Sequence, residues 1–275
     1  MKKFKSFAFV LCGLFLLGSM FLAVPSRAAA APASVTVFAA ASMTESLKEI
    51  ATLYKKAAPD VEIVYNFDSS GTLKTQIQSG ADCDIFISAG QRQMNQLDIA
   101  ADPSVNTEKL DFVAPGTRFN IVSNQVVLII PKGKNPKGIG SFEDAATDKV
   151  FLMSLGNSDV PVGQYSEEIF TKLGLWDKIK AASKITFASN VKEVLAHVAA
   201  GAVDCGVVYS TDAATAPQVE IVAAAPEGSH TPITYPAAIL KAAPNQAAAQ
   251  AFIDFLKGGE ATDVFKRIGF AIPAK

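Results

Sequence analysis

The stretch Val35-Thr36-Val37-Phe38-Ala39-Ala40-Ala41-Ser42 shows the pattern on which the whole chain is built. It opens with β-branched and aromatic residues, which are typical of a buried strand, and it ends in small residues and a serine. Glu45 follows Ser42 by three positions, which is the spacing of a capping box at the start of a helix. The stretch therefore predicts a strand that runs directly into a helix.

The same alternation of strand and helix continues along the chain. Apolar residues at helical spacing, such as Leu47, Ile50 and Tyr54, separate the predicted strands, and two helices at about 245–257 and 260–267 close the chain. The predicted strands are Val35–Ala39, Val61–Phe67, Asp84–Ser88, Gln125–Ile130, Lys149–Ser154, Ile185–Phe187, Cys205–Tyr209, Glu220–Ala223 and Ile233–Ile239. This order predicts an α/β fold with mainly parallel sheets flanked by helices.

Two turn-rich segments, 114–117 and 226–232, divide this pattern. They fit a chain that crosses twice between two lobes. We expect residues 31–123 and 233–275 to form lobe 1 and residues 124–232 to form lobe 2, with a ligand cleft between the lobes.

Residues 1–30 have the features of a secretory signal peptide. A basic start is followed by an apolar run from about Phe7 to Val24 and by an alanine-rich segment, in which cleavage after Ala28 or Ala30 is expected. A retained membrane anchor is the alternative, because the apolar run is nearly long enough to span a bilayer. Cys12 lies inside this run with no small residue just before it, which argues against lipid attachment.

The charge of the remaining chain argues against a nucleic-acid partner. The leader holds four of the 25 basic residues and none of the acidic ones, so 21 basic and 26 acidic residues remain, with a net charge of −5. A nucleic-acid-binding protein would show a basic patch or stripe.

Two cysteines, Cys83 and Cys205, remain after the leader. Each stands at the start of a predicted strand. If the two strands belong to separate sheets, the sulfur atoms are too far apart for a disulfide. We therefore favour buried free thiols over a disulfide, although an exported protein could form one.

Five junctions between a strand and a helix carry small residues with neutral hydrogen-bond donors. Ligands of parallel α/β sheets lie where strands end, and the free N–H groups of a helix start attract anions. Each junction alone also fits plain helix capping, and a tyrosine at a strand end also fits the core. Together they suit a fully ionised oxyanion held by hydrogen bonds. The junctions are 38–42, 67–72, 160–164, 188–191 and 206–212.

The sequence lacks the common catalytic and metal-binding motifs. It has no phosphate-binding P-loop, no His-Glu-x-x-His and no Gly-x-Ser-x-Gly elbow. His197 falls within a predicted helix and His230 in a polar loop, and neither has a nucleophile or a metal-ligand partner at a useful spacing. These absences argue against a hydrolase or a metalloenzyme.

The motifs resemble those of periplasmic molybdate-binding proteins of the ModA type, and the resemblance covers essentially the whole chain after the leader. The matching segments are Val37–Thr44, Asn66–Leu73, Gly80–Ala89, Val160–Tyr165, Leu173–Asp177, Gly206–Ala213 and Phe255–Phe270. The resemblance implies a two-lobed type II periplasmic binding protein fold with the ligand in the cleft between the lobes.

The resemblance also implies the ligand contacts. Ser42 and Ser70 would contribute hydroxyl and backbone N–H groups, Val162 and Val191 backbone N–H groups, and Tyr209 its phenol. Val162 stands where alanine is common, which is harmless if only its N–H binds. Asp68 stands where a small neutral residue is common, and we expect its carboxylate to point outward, because it would repel an anion.

The function implied by the resemblance is the capture of molybdate and tungstate by a periplasmic monomer that delivers them to an ABC permease in the inner membrane. A site made only of donors would disfavour hydrogen phosphate, whose own proton would lack an acceptor, and the cavity size would disfavour sulfate.

Three alternatives stay open. One is a binding protein for another oxyanion such as sulfate or thiosulfate. Another is a secreted enzyme acting on a phosphorylated or acidic metabolite, with Asp68 as the best candidate for a general acid or base. The last is a purely structural secreted domain.

Overall fold

Strands and helices alternate along residues 33–273, the part of the chain that the computed structural model describes. The strands are β1 Ala33–Ala40, β2 Val61–Asp68, β3 Ile85–Ile87, β4 Phe119–Ser123, β5 Val126–Pro131, β6 Met153–Gly156, β7 Ile185–Ala188, β8 Cys205–Tyr209, β9 Val219–Ala224 and β10 Thr234–Ile239. The helices are α1 Thr44–Ala57, α2 Ser70–Gln78, α3 Gln91–Leu97, α4 Pro161–Lys172, α5 Trp176–Ala181, α6 Val191–Ala199, α7 Ser210–Ala214, α8 Gln246–Leu256 and α9 Gly259–Ile268, and 3₁₀ turns occupy Ala41–Met43 and Glu143–Ala146. The predicted signal peptide, 1–30, lies outside the described residues.

The strands form two five-stranded sheets with matching topology. The strand orders are β2-β1-β3-β10-β4 and β7-β6-β8-β5-β9. In each sheet the first three strands are mutually parallel and the fourth, β10 or β5, pairs antiparallel with both of its neighbours. Four strands of each sheet therefore run in one direction, which confirms the predicted α/β fold with two mainly parallel sheets.

Strand β1 lies between β2 and β3, so both of its edges are paired, and apolar side chains cover both of its faces. Neighbouring residues of a strand point to opposite faces, and here Val37 and Phe38 enter different apolar clusters. Val37 packs in the cluster that contains Leu47 and Ile50 of α1, whereas Phe38 packs in the cluster that contains Leu73 of α2. This two-sided burial explains why β1 has an almost continuous apolar sequence.

Two segments connect the sheets. The chain leaves the first sheet at Ser123 and enters the second at Val126, and it returns between β9 and β10. Ser123 pairs with Thr234 at the start of β10, so the two crossing segments lie side by side. The two reversed strands, β5 and β10, are the ones that follow these crossings.

Two details of the predicted strands were wrong. The predicted strand Lys149–Ser154 begins only at Met153, because the backbone N–H groups of Phe151 and Leu152 donate to the Asp204 carboxylate instead of a neighbouring strand. The edge strand β4 was not predicted. Its half-exposed residues lack a continuous apolar run, and its pairing with β10 depends on residues more than a hundred positions away.

The prediction of buried free thiols is confirmed for the two cysteines in the described residues. Cys83 precedes β3 of the first sheet, Cys205 opens β8 of the second sheet, and both are free and buried. Burial raises the pKa of each thiol to about 12. Both cysteines therefore stay protonated at neutral pH and serve as small apolar packing groups.

No helix within residues 33–273 combines the length and the apolar character that are needed to cross a bilayer.

We predict that Gly163→Ala destabilises the fold. The backbone of α4 packs directly on the end of β6, and a Cβ atom at position 163 would lie 2.6 Å from the carbonyl carbon of Gly156. Overpacking of this kind costs about 1–3 kcal/mol, which a lower midpoint of denaturant unfolding would measure. Gly259→Ala is the control, because an added Cβ there meets open space. Equal midpoints for the two variants would contradict this account of the packing.

Candidate functional site

The ends of corresponding strands from the two sheets face each other across the cleft. In the first sheet, Ser42, Ser70 and Ala89 follow β1, β2 and β3. In the second sheet, Val162, Val191 and Tyr209 occupy the equivalent positions after β6 and β7 and at the end of β8. The repeated strand order thus brings six matching junctions together.

These junctions enclose one small cavity. The five residues predicted from the sequence all line it, although they come from distant parts of the chain. About 210 Å³ of space, including the opening to solvent, lies between the lining atoms. The lining residues are Ala40, Ala41, Ser42, Asp68, Ser69, Ser70, Ala89, Val160, Pro161, Val162, Val191 and Tyr209. Even this upper bound is too small for a nucleotide or a sugar, so the cavity can hold only a small ligand.

Ser42 does not cap helix α1, so the capping box expected from its spacing to Glu45 is wrong. The residue lies in the 3₁₀ turn that precedes α1, and Met43 is the N-cap. The Ser42 hydroxyl is instead 3.0 Å from the Tyr235 hydroxyl, and the serine is buried. Its side chain is therefore free of the helix backbone.

The two serines that follow β2 make different hydrogen bonds at the start of α2. Ser69 is the N-cap, and its hydroxyl accepts from the Thr72 N–H at 3.1 Å. The fully buried Ser70 hydroxyl accepts from the Ala89 N–H at 2.9 Å. Since a backbone N–H can only donate, the Ser70 proton remains available to a group in the cavity.

Val162 and Val191 each lie in the first turn of a helix. Pro161 is the first residue of α4, and the side chain of Asn190 caps α6 by accepting from the Glu193 N–H at 3.1 Å. The N–H groups of a first turn have no partner within their helix, and the helix dipole adds partial positive charge. Both helix starts therefore bring backbone donors to the border of the cavity.

Tyr209 is buried, and its hydroxyl has no hydrogen-bond partner among the described residues. Burial raises its pKa well above the usual value, as do the neighbouring Tyr235, Tyr165 and Asp212. The phenol therefore stays protonated and can act as a donor at any physiological pH. Buried hydroxyls usually have a partner, so this one marks the cavity as a place for an acceptor.

The expectation that Asp68 points outward is wrong. Its side chain is half-buried at the edge of the cavity. The carboxylate oxygen Oδ1 accepts from the Ser69 N–H at 2.7 Å and from the Asn190 side chain, which belongs to the other lobe, at 3.3 Å. These two donors offset part of its negative charge, and the second one ties the lobes together.

A charged cluster missed by the sequence analysis lies next to Val191 and Tyr209. The Lys192 ammonium is 3.0 Å from Asp212 in its own lobe and 2.8 Å from Glu45 on α1 of the other lobe. Burial raises the pKa of Asp212, and Lys192 lowers it without cancelling the rise. Burial lowers the pKa of Lys192, but the two carboxylates more than offset this and raise it overall. Lys192 therefore stays charged and bridges the lobes.

Two further contacts close the cleft. The Gln93 side chain donates to Gln164 across it at 3.2 Å. Gly71 of α2 lies so close to Asp159 that an added Cβ would be 2.8 Å from the Asp159 Cβ. The structure thus shows the two lobes closed around the cavity. Single long-range pairs of this kind leave no periodic pattern in a sequence.

The histidines take no part in this site. The Nδ1 atom of His197 pairs with the Ser154 hydroxyl at 2.9 Å, and His230 packs edge-on against Tyr165. Within residues 33–273 no group of three or more histidine, cysteine or acidic side chains is placed to hold a metal ion. A wider depression between α1 and β2 is lined by exposed Lys55 and Glu62 and has no converging helix starts.

The geometry agrees with what the chain resembles. The family model of the bacterial extracellular solute-binding proteins matches residues 35–271. The molybdate-binding protein ModA of Escherichia coli K12 is 37% identical over 265 residues, which are 94% of this chain and 97% of the relative. The molybdate-binding protein ModA of Haemophilus influenzae is 40% identical and aligns with 88% of this chain and 91% of its own length.

A solved structure shows the same fold. The periplasmic molybdate-binding protein of Azotobacter vinelandii superposes with a TM-score of 0.74 at 26% identity, and the match covers 87% of this chain and all of that one.

We predict that Lys192→Met destabilises the protein most at neutral pH, because it leaves the buried Asp212 carboxylate without its counter-charge. The expected loss is about 2–3 kcal/mol, less than for a fully buried pair, since the Lys192 side chain is 26% exposed. The raised pKa of Asp212 determines how the stability loss changes with pH. The charged carboxylate costs stability at neutral pH, and this cost disappears as the pH falls and the group is protonated.

Denaturant unfolding between neutral pH and about pH 4 checks this prediction, since the difference between wild type and variant should shrink over that range. Lys241→Met is the control, because its pair with Asp111 is exposed and should contribute less than about 0.5 kcal/mol. A pH-independent difference for Lys192→Met would show that Asp212 is not the cause.

Proposed function

Because the chain belongs to the bacterial extracellular solute-binding proteins, we propose that it captures molybdate, and with it tungstate, for an ABC importer. The observation that carries the proposal is the cavity itself. Six separate junctions converge on it, and the buried Tyr209 hydroxyl there has no partner among the described residues. The cleft therefore offers several donors to one small acceptor-rich ligand.

The neutral character of these donors supports a fully ionised oxyanion. Molybdate and tungstate carry only acceptor oxygens at neutral pH, and each oxygen can take hydrogen bonds from more than one donor. Removing such a dianion from water is costly unless donors replace its hydration. The hydroxyls of Ser42, Ser70 and Tyr209 and the N–H groups of Val162 and Val191 would do so, and hydrogen bonds to a charged acceptor are strong.

In this proposal the protein binds the anion and leaves it chemically unchanged. Members of the family bind solutes outside the cytoplasm, and we propose a periplasmic monomer that passes its closed, loaded form to a permease in the inner membrane. The ligand is bound through its oxygens, without a cofactor and without a side chain bonded to the metal. No nucleic acid takes part.

Two alternatives fit the site less well. A secreted enzyme would need a general acid or base, and Asp68, the carboxylate on the cavity border, already accepts from Ser69 and Asn190. Sulfate presents the same tetrahedral pattern of acceptors as molybdate and is distinguished only by its smaller size. The curated relatives described above are named for molybdate.

Calorimetric titration of the wild-type protein with molybdate, tungstate, sulfate and phosphate tests the proposal. We expect molybdate and tungstate to bind tightly and with similar affinity, sulfate to bind more weakly, and hydrogen phosphate to bind least. Equal affinity for sulfate would reject the size argument. No binding of any of the four anions would reject the proposed function.

We predict that Tyr209→Phe weakens molybdate binding by about 10–100-fold, the usual range for one hydrogen bond to a charged group. The same titration measures the change. Tyr65→Phe is the matched control, because the Tyr65 hydroxyl donates to the Leu47 carbonyl at 3.0 Å, within the first lobe and outside the cavity lining. Equal losses in the two variants would mean that the Tyr209 hydroxyl does not contact the anion.

We also predict that Gly71→Ala weakens molybdate binding by holding the lobes apart. The added methyl group would overlap Asp159 of the other lobe only when the cleft is closed. A clash of about 1–3 kcal/mol that acts on the closed form alone lowers affinity about 5–100-fold. Denaturant unfolding without ligand should change little, and small-angle scattering with molybdate should show incomplete compaction. Wild-type affinity and compaction would exclude Gly71 as a closure contact.

A further inference from the structure

A chain of hydrogen bonds leads from the crossing segment between the sheets to the cavity. It begins at Asn124, between β4 and β5. The Gln125 N–H lies 2.9 Å from one terminal atom of the Asn124 side chain, and the Ser210 hydroxyl lies 3.1 Å from the same atom. A backbone N–H can only donate, so this atom must be the amide oxygen. The orientation of the amide group is thereby fixed.

The other end of the amide is therefore the NH₂ group, which can only donate. Its nitrogen lies 2.9 Å from the Thr211 hydroxyl oxygen and 3.3 Å from the Tyr235 hydroxyl oxygen. Tyr235 is fully buried. Because its oxygen accepts from Asn124, its proton must be given to another acceptor. The acceptor at ordinary hydrogen-bond distance from this hydroxyl is the Ser42 oxygen, at 3.0 Å.

The geometry points to Asn124 and Tyr235 as positioning residues that hold the Ser42 hydroxyl as a donor toward the cavity. Tyr235 donates to the Ser42 oxygen, so the Ser42 proton is directed away from Tyr235. Asn124 donates to Tyr235, Tyr235 donates to Ser42, and Ser42 donates to the ligand. We call this chain of hydrogen bonds the relay. Ser70 is held in the same way by a single bond from the Ala89 N–H. This inference rests on the proposed function only in taking an oxyanion as the ligand.

The consequence is selectivity against anions that carry a proton. Hydrogen phosphate and sulfate have similar size and, at mildly alkaline pH, the same charge. They differ in that hydrogen phosphate has one O–H group that needs an acceptor. With Ser42 and Ser70 both held as donors, neither serine oxygen can accept that proton, and an unpaired buried O–H is penalised. The affinity ratio of phosphate to sulfate therefore reports the direction of the relay.

Asn124→Asp reverses the relay with almost no change in shape. A carboxylate at position 124 still accepts from Gln125 and Ser210, but it also accepts from Tyr235. The Tyr235 oxygen then accepts from Ser42, and the Ser42 oxygen can accept from the ligand. We expect weaker binding of molybdate and sulfate and, at mildly alkaline pH, a rise in the phosphate-to-sulfate affinity ratio of about tenfold, which is the effect of one hydrogen bond.

The double variant, which combines Asn124→Asp with Tyr235→Phe, separates the relay from the added charge. Without the Tyr235 hydroxyl, the carboxylate cannot reverse Ser42, so the ratio should return to that of Tyr235→Phe alone. A purely electrostatic effect of the new charge would persist in the double variant and overturn the inference. An unchanged ratio in Asn124→Asp would overturn it as well.

Tyr235→Phe alone tests the relay if the variants that carry Asn124→Asp do not fold. It should weaken molybdate binding about three- to tenfold and raise the phosphate-to-sulfate ratio slightly, because Ser42 loses the bond that orients it. Wild-type values for both quantities would overturn the inference. Wild-type titration distinguishes this failure from that of the proposed function, since a failed relay leaves molybdate binding by the wild-type protein intact.

Discussion

The common direction of the strands is the constraint on which the site depends. In each sheet four of the five strands run the same way, so their carboxyl ends gather at one edge. The two edges face each other because the chain crosses between the sheets twice, at Asn124 and again before β10. Helix starts from both lobes thus converge on one point. A single sheet would present only half of these donors, and the other side of the ligand would remain in water.

This arrangement couples binding to closure. A closed cavity without an acceptor would leave the Tyr209 hydroxyl and the first-turn N–H groups buried and unpaired, at about 1–3 kcal/mol for each group. Few contacts between the lobes offset that cost: the Lys192–Glu45 ion pair is partly exposed, and the Asn190–Asp68 hydrogen bond is long at 3.3 Å. An anion that satisfies the donors removes the penalty and therefore favours the closed form.

Much of the fold and the cavity could be predicted from the sequence, because local patterns encode them. Apolar strands such as Val35–Ala39 are continuous in the sequence, and each site residue stands at a junction where a strand ends. The sequence could not show what Ser42 contacts. Its spacing to Glu45 fits a capping box. In the structure, however, the Ser42 hydroxyl is hydrogen-bonded to Tyr235, which lies 193 positions away, and Glu45 forms an ion pair with Lys192. Tertiary packing overrides the local preference at this position. The position of the Asp68 carboxylate could not be predicted from the sequence either. It is held at the cavity edge by a hydrogen bond from Asn190, which belongs to the other lobe.

The use of neutral donors instead of cations bears on both selectivity and release. A lysine or arginine in direct contact would attract every anion, protonated or not, whether the cleft was open or closed. Lys192 is instead held by Asp212 and Glu45, so its charge is largely balanced within the protein. Neutral donors are strong only when several act together in a dry cavity, and separation of the lobes removes half of them at once. An importer that pulls the lobes apart would therefore release the anion without having to neutralise any charge in the site.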